Sequence, residues 1–276
     1  MKENNVDYLI NQVKYTGFGD SLEFAIRENV AKGEPEFDLK YKPDFGNDKV
    51  ESTLHFKKSK KEDNYFFNSY DVTVAQKEGE ALQQNFAVFK AKQILVRDGD
   101  GNIMNDKDGK ELKEWINSSI TLKEAYNLME GRSVLKDYVV PKKEDDENGI
   151  DKKYSKWNTI DFSTKESNGN YAMKKYDTYE LDTKLSTHHI KDFNENPSVK
   201  KEIMDSLQKG NRQVVTVVMP DGKEEKRGYE ANPKFKTANK FDNNQRVKNQ
   251  SEKKGETIAE DGTKKNENKK KGQGVS

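Results

Sequence analysis

The chain has 276 residues, 31% hydrophobic and 36% charged, with a formal net charge of +1 and no cysteine. Against roughly 100–200 residues per domain, it fits one large or two small domains with tails, and it excludes a disulfide scaffold or a thiolate metal site. No run approaches the ~20 apolar residues of a membrane span, and Met1 to Asn11 lack the apolar stretch of a secretory signal, so a cytoplasmic protein with no membrane partner is expected.

In chain order, the first helix signal is Leu22, Ile26 and Val30, one face at helical spacing, with Asp20 and Glu23 at capping-box distance in front of it. Gly33 follows, and then Phe37, Leu39 and Tyr41 alternate as a strand. A turn over Pro43–Asp48 leads to a strand from Val50 to Phe56, whose alternation predicts one wet and one dry face. Further strands are expected over Tyr65–Val74 and Leu82–Phe89, then a polar loop over 97–110 and a short amphipathic piece near Trp115.

Thr121 and Glu124 repeat the capping-box spacing before a second helix, which Gly131 closes ahead of Leu135 and Val139. A charged loop over Lys142–Asp151 precedes a hairpin, Lys156–Phe162 and Tyr171–Tyr176, joined by Asn168-Gly169. The third helix starts at Asn196, Pro197 and Ser198, carries Val199, Ile203 and Leu207, and meets Gly210 before the Val214 to Val218 strand. Breaks follow at Pro220-Asp221-Gly222 and Asn232-Pro233, with Phe235–Phe241 after the second.

Gly33, Gly131 and Gly210 therefore sit at the same joint, where a left-handed residue ends a helix and launches a strand. The reading is an α+β protein of short helices on antiparallel sheets. Residues 1–118 form a first unit with an inserted loop near 90–117, 119–180 a second and 181–248 a third, leaving 249–276 as a disordered lysine-rich tail. Three such units sharing two cores would fit the length.

The small net charge conceals a split. Residues 200–276 hold 19 Lys and Arg against 12 Asp and Glu, leaving 31 against 37 for residues 1–199. The basic end is a candidate surface for an anionic partner. There Arg212, Lys226, Arg227, Lys234, Lys236, Lys240 and Arg246 are interleaved with Tyr229, Phe235 and Phe241, and Lys264, Lys265, Lys269, Lys270 and Lys271 close the tail. Cations neutralise phosphates and aromatic faces stack on unpaired bases, which suits nucleic acid. The alternative is that the aromatics face the core and the lysines only solvent.

Other signals are weaker. Asp98-Gly-Asp100-Gly-Asn102 starts like a calcium loop, but Ile103 and Gly109 stand where the loop requires Gly and Glu, so a hairpin tip is expected and no metal. His188 and His189 are adjacent and diverge on any regular element, and His55 is the only other histidine, which leaves little for a catalytic triad. Gly17-Phe-Gly19 and Asp108-Gly109-Lys110 lack the rest of a phosphate-binding fingerprint and read as turns. No cofactor, small-molecule substrate or catalytic residue is expected.

Ile120 to Gly131, Gly210-Asn-Arg-Gln-Val-Val, Ala231 to Thr237, Leu54 to Lys58 with Tyr65 to Asn68, and the closing Lys-Gly-Gln-Gly together resemble an uncharacterised family carried on conjugative transposons and related mobile elements of Bacteroidota. The likeness covers most of the chain, with Lys90–Asn117 departing as an insertion. It implies a setting among DNA-processing proteins and brings no catalytic residue. The expectation is a non-enzymatic accessory that binds DNA or a DNA-processing complex; the alternative is a protein-interaction adaptor without nucleic-acid contact.

Overall fold

In a computed structural model, residues 3–75, 79–141, 151–242 and 245–247 are described. The loop over 142–150 and the tail from 249, with its lysines 264, 265 and 269–271, lie outside the described residues. The chain divides into two compact units, residues 1–178 and residues from 179 onward. Every strand pairing is antiparallel, so the protein is α+β with helices laid on meandering sheets.

The first unit opens with α1 (Glu3–Val13), a helix absent from the expected elements. Leu9 and Val13 are buried on its inner face. A wide turn, Lys14–Phe18, with Gly17 at φ 102°, leads to α2 (Glu23–Lys32). Glycine is favoured at 17 because its φ of 102° is a conformation that L side chains rarely adopt, while an added Cβ would only touch the Leu122 amide nitrogen at 3.4 Å.

Four strands follow as a meander: β1 (Glu36–Tyr41), β2 (Val50–Lys58), β3 (Tyr65–Val74) and β4 (Leu82–Ala87). Alternation decides the faces, with Val50, Ser52, Leu54 and Phe56 buried and Glu51 exposed. The dry face carries Phe56, Tyr65, Phe67 and Tyr70 against Leu9, Phe18 and Ile26. Buried phenols find backbone partners, as polar groups in a core must: Tyr65 donates to the Glu34 carbonyl at 2.5 Å and Tyr70 to the Ile120 carbonyl at 2.7 Å.

The stretch read as a polar loop is a folded hairpin. β5 (Lys92–Leu95) pairs with β6 (Lys113–Ile116). Between them the chain crosses itself: Met104 N–H donates to the Val96 carbonyl, Leu112 N–H to Met104 and Val96 N–H to Leu112, at 2.8–2.9 Å. The three residues are eight apart and close a ring of hydrogen bonds. Each connecting turn is held by one aspartate: Asp98 accepts from the Asp100 and Asn102 amides, and Asp106 from Asp108 and Lys110.

α3 (Leu122–Met129) begins with the expected box, Thr121 accepting from the Glu124 amide and Glu124 from the Thr121 amide. It leads to β7 (Val134–Val140), β8 (Lys152–Lys165) and β9 (Tyr171–Tyr176). Leu122, Ala125, Leu128, Val134 and Ile160 join the same core as the first meander. The box expected at Asp20 and Glu23 does not form. α2 starts only at Glu23, which makes that residue first and not third in the helix, and the Asp20 carboxylate pairs with Lys14 at 3.0 Å instead.

The second unit holds α4 (Leu181–Ser186), also unanticipated, and α5 (Pro197–Gln208), capped by Asn196 with Pro197 in its first turn. β10 (Gln213–Val218), β11 (Glu224–Asn232), β12 (Thr237–Asp242) and β13 (Gln245–Val247) then form one meander.

The recurring joint is geometric as well as textual. Gly33, Gly131 and Gly210 have φ of 76°, 76° and 80°, and each N–H donates to the carbonyl three residues back, on Val30, Leu128 and Leu207. β1, β7 and β10 each begin three residues beyond their glycine.

Candidate nucleic-acid interface

The basic strands of the second unit form a sheet with two unlike faces. Val215, Val217, Tyr229, Ala231 and Ala238 are buried on one side. Their neighbours Val214 and Val218 are exposed on the other, as a period of two requires. The register places Lys226 opposite Thr216, Gly228 opposite Val214 and Phe241, and Arg246 opposite Phe241. These residues share the more open side.

On that side the cations are held in defined positions. Lys226 donates to the Thr216 hydroxyl at 2.7 Å. Arg212 reaches across β11, donates from Nε to Glu230 at 2.8 Å and lies 3.8 Å from the Phe241 ring centre. Its stem crosses where Gly228 leaves room, since a Cβ there would meet Arg212 Cγ and Phe241 Cβ, each at 3.3 Å. Arg246 donates to the Asn239 side chain at 2.8 Å, and Asn232 donates to the same oxygen at 2.7 Å. Past Asn232 the chain turns through Lys234, Phe235 and Lys236, all exposed, with Lys234 5.4 Å from the Phe235 ring centre.

The candidate residues therefore separate. Arg212, Lys226 and Arg246 follow one face of β11, and Lys234 and Lys236 continue the row at its end. Arg227 is committed elsewhere: its guanidinium pairs with Glu225 and Asp242 and is mostly buried. Lys240 stands opposite Tyr229, on the helix-covered side.

Of the aromatics, Tyr229 is 1% exposed and serves the core, Phe241 is 6% exposed because Arg212 covers it on the open face, and Phe235 is 43% exposed and available to a ligand. Glu230 and Asn239 organise this face and were not among the expected residues. Their signal was the alternation itself, which puts 228, 230 and 232 on one side of β11.

The histidines are structural in their surroundings. His188 Nδ1 lies 3.1 Å from the Tyr229 hydroxyl. Burial, with Lys240 and His189 close by, holds its pKa below the ordinary value. His55 bridges two carboxylates on the wet face of the first meander, Asp38 at 2.8 Å and Asp71 at 3.1 Å. Burial opposes its charge, but the hydrogen bonds to both aspartates outweigh it and raise the pKa. Among the described residues no group of three or more His, Cys, Asp or Glu is placed to hold a metal ion, and no helix is long and apolar enough to cross a membrane.

No family model, curated protein or solved structure matches this chain.

Proposed function

We propose that the protein is a non-enzymatic accessory of a mobile genetic element that binds DNA or a DNA-processing complex. The observation that supports this best is the row of Lys226, Arg212 and Arg246 along one sheet face, continued by Lys234, Phe235 and Lys236. At ~3.3 Å per residue β11 from 226 to 232 spans roughly 20 Å, with the turn that carries Lys234 and Lys236 at its end, enough to follow a few phosphates. Within the row Arg212 is itself paired with Glu230, and elsewhere in this unit Lys200 pairs with Asp182, Lys201 with Asp205, Lys223 with Asp221 and Lys191 with Glu224, so the exposed Lys226, Lys234 and Lys236 are the cations that carry the reading. The tail adds eight lysines against five carboxylates from 248 onward, and the resemblance supplies the mobile-element setting.

An adaptor role draws on a different observation. Tyr15, in the turn after α1, and Phe24, on α2, are 73% and 79% exposed, and large exposed aromatics are typical partner anchors.

The test is a salt titration of DNA binding by the whole chain. Phosphate-driven binding falls steeply with salt, with a slope near −0.9 per phosphate neutralised on duplex DNA. Replacing Lys226, Lys234 and Lys236 with Glu should flatten that slope and weaken binding, and deleting residues 262–276 should weaken it further. Binding indifferent to salt and to both changes sinks the reading, while capture of one host protein by the tail-less chain supports the adaptor.

A further inference from the structure

We infer that the first unit carries a separate site for single-stranded nucleic acid, in the groove between the β5–β6 hairpin and the β7–β9 sheet. The inference rests on the DNA-binding reading and adds a site in residues where the charge split gave no sign of one. The groove has a volume of about 300 Å³, and its chemistry comes from Phe89, Lys90, Lys92, Tyr138, Tyr154 and Lys175.

Phe89 and Tyr154 are exposed, while Tyr138 is partly covered by Tyr154 and Lys175. Phe89 is 53% exposed, yet its backbone is pinned from both sides by the buried Ser119 hydroxyl, which accepts from Phe89 N–H at 2.8 Å and donates to its carbonyl at 3.3 Å. Tyr138 and Tyr154 are direct partners across β7 and β8, with rings stacked 5.3 Å apart at 24°. Tyr138 is aimed by its hydroxyl, which donates to Asn158 at 2.8 Å. A site whose Phe89 backbone and Tyr138 hydroxyl are already held spends less of its interaction energy on ordering.

Among the described residues the charges lining the groove are positive and have no carboxylate partner. Lys175 Nζ stands 4.0 Å from the Tyr138 ring centre. Lys90 and Lys92 are exposed and make no ion pair among the described residues. The neighbouring carboxylates Glu114 and Asp137 are both taken by Lys153, at 2.7 and 3.0 Å. Flat π surfaces beside several unpaired cations suit a ligand that is flat and anionic at once, an unpaired base with its phosphate. Three lysines exceed what one phosphate needs, which favours a strand over a free nucleotide, and a duplex hides its base faces.

The experiment measures binding of the whole chain to fluorescent oligothymidylate and to a mixed-sequence duplex. Two double variants, Phe89→Ala with Tyr154→Ala and Lys90→Glu with Lys92→Glu, change only exposed side chains. Each should weaken the single strand by about tenfold or more and leave the duplex within about twofold. Trp115→Ala, on the neighbouring β6 position to groove-lining Ile116 and so facing away, should change neither.

Unchanged single-strand affinity in both double variants overturns the groove while leaving DNA binding by the second unit intact. So does a wild-type chain that binds only duplex, or thymidine monophosphate displacing the strand at equal base concentration. A wild-type chain that binds neither DNA removes the groove and the broader reading together.

Discussion

Arg212 lies over Phe241, 3.8 Å from the ring centre, only because the residue between them on the middle strand is Gly228. Added bulk at 228 meets a flexible stem on one side and a fixed strand on the other. Gly228→Val should therefore destabilise the second unit by about 1–3 kcal/mol, the usual cost of overpacking, despite valine's preference for strands. In an Arg212→Ala background the same change should cost less, because one of the two clashes is gone. Equal costs in both backgrounds, measured by denaturant titration, would show that Arg212 does not depend on the gap.

The three helix-ending glycines make a sharper test of the repeated joint. Gly33→Val, Gly131→Val and Gly210→Val each force a β-branched residue into left-handed backbone, at about 1–3 kcal/mol. Gly99→Ala is the control, since that glycine is not left-handed and has nothing within 4 Å of an added Cβ. Thermal melts should separate the three from the control.

The two partnered histidines predict opposite pH responses. His55 has a raised pKa in the folded state, so its contribution is fully present below the unfolded value near 6.5 and is lost as pH rises through the folded value. His188 is held neutral, so its contribution is present above about 6.5 and declines as pH falls below it. Hydrogen exchange should show the first meander loosening from pH 6 to 8 and the strands around Tyr229 loosening from pH 7 to 5. His55→Gln should abolish the first trend alone.

Thr121→Ala removes one half of the reciprocal cap on α3. A loss of about 1 kcal/mol is expected. Because Leu122 and Leu128 sit in the core shared with the first meander, the whole first unit should melt earlier, not this helix alone.

What could be read in advance was local. The cap at Thr121, the Pro197 start, the glycine joints and the wet and dry faces of β2 depend on residues within a few positions of each other, so spacing reveals them. α1 was equally legible in Val6, Leu9, Ile10 and Val13, whose spacing is that of a helix face. The hairpin over 92–116 was obscured because its eight-residue echo, Asp98 and Asp106 each followed by Asp-Gly two residues on, has the composition of a solvated loop. The partition of the basic residues was not local at all. Arg227 is lost to Asp242, fifteen residues on, and only the register of β11 with β12 brings the two together. The groove at Tyr138 draws on five strands and the segments that connect them, which no window along the chain contains.

The hydrogen bond from Tyr70 to Ile120 spans fifty residues, and it bears on how the chain emerges during synthesis. β1 to β4 leave the ribosome before α3, which completes their dry face, has been made. Until then the Tyr70 hydroxyl lacks its partner and, although Leu9, Phe18 and Ile26 already pack on this face, the part that α3 covers stays open to non-native association. Residues 120–134 thus complete a core whose other members lie far earlier in the chain.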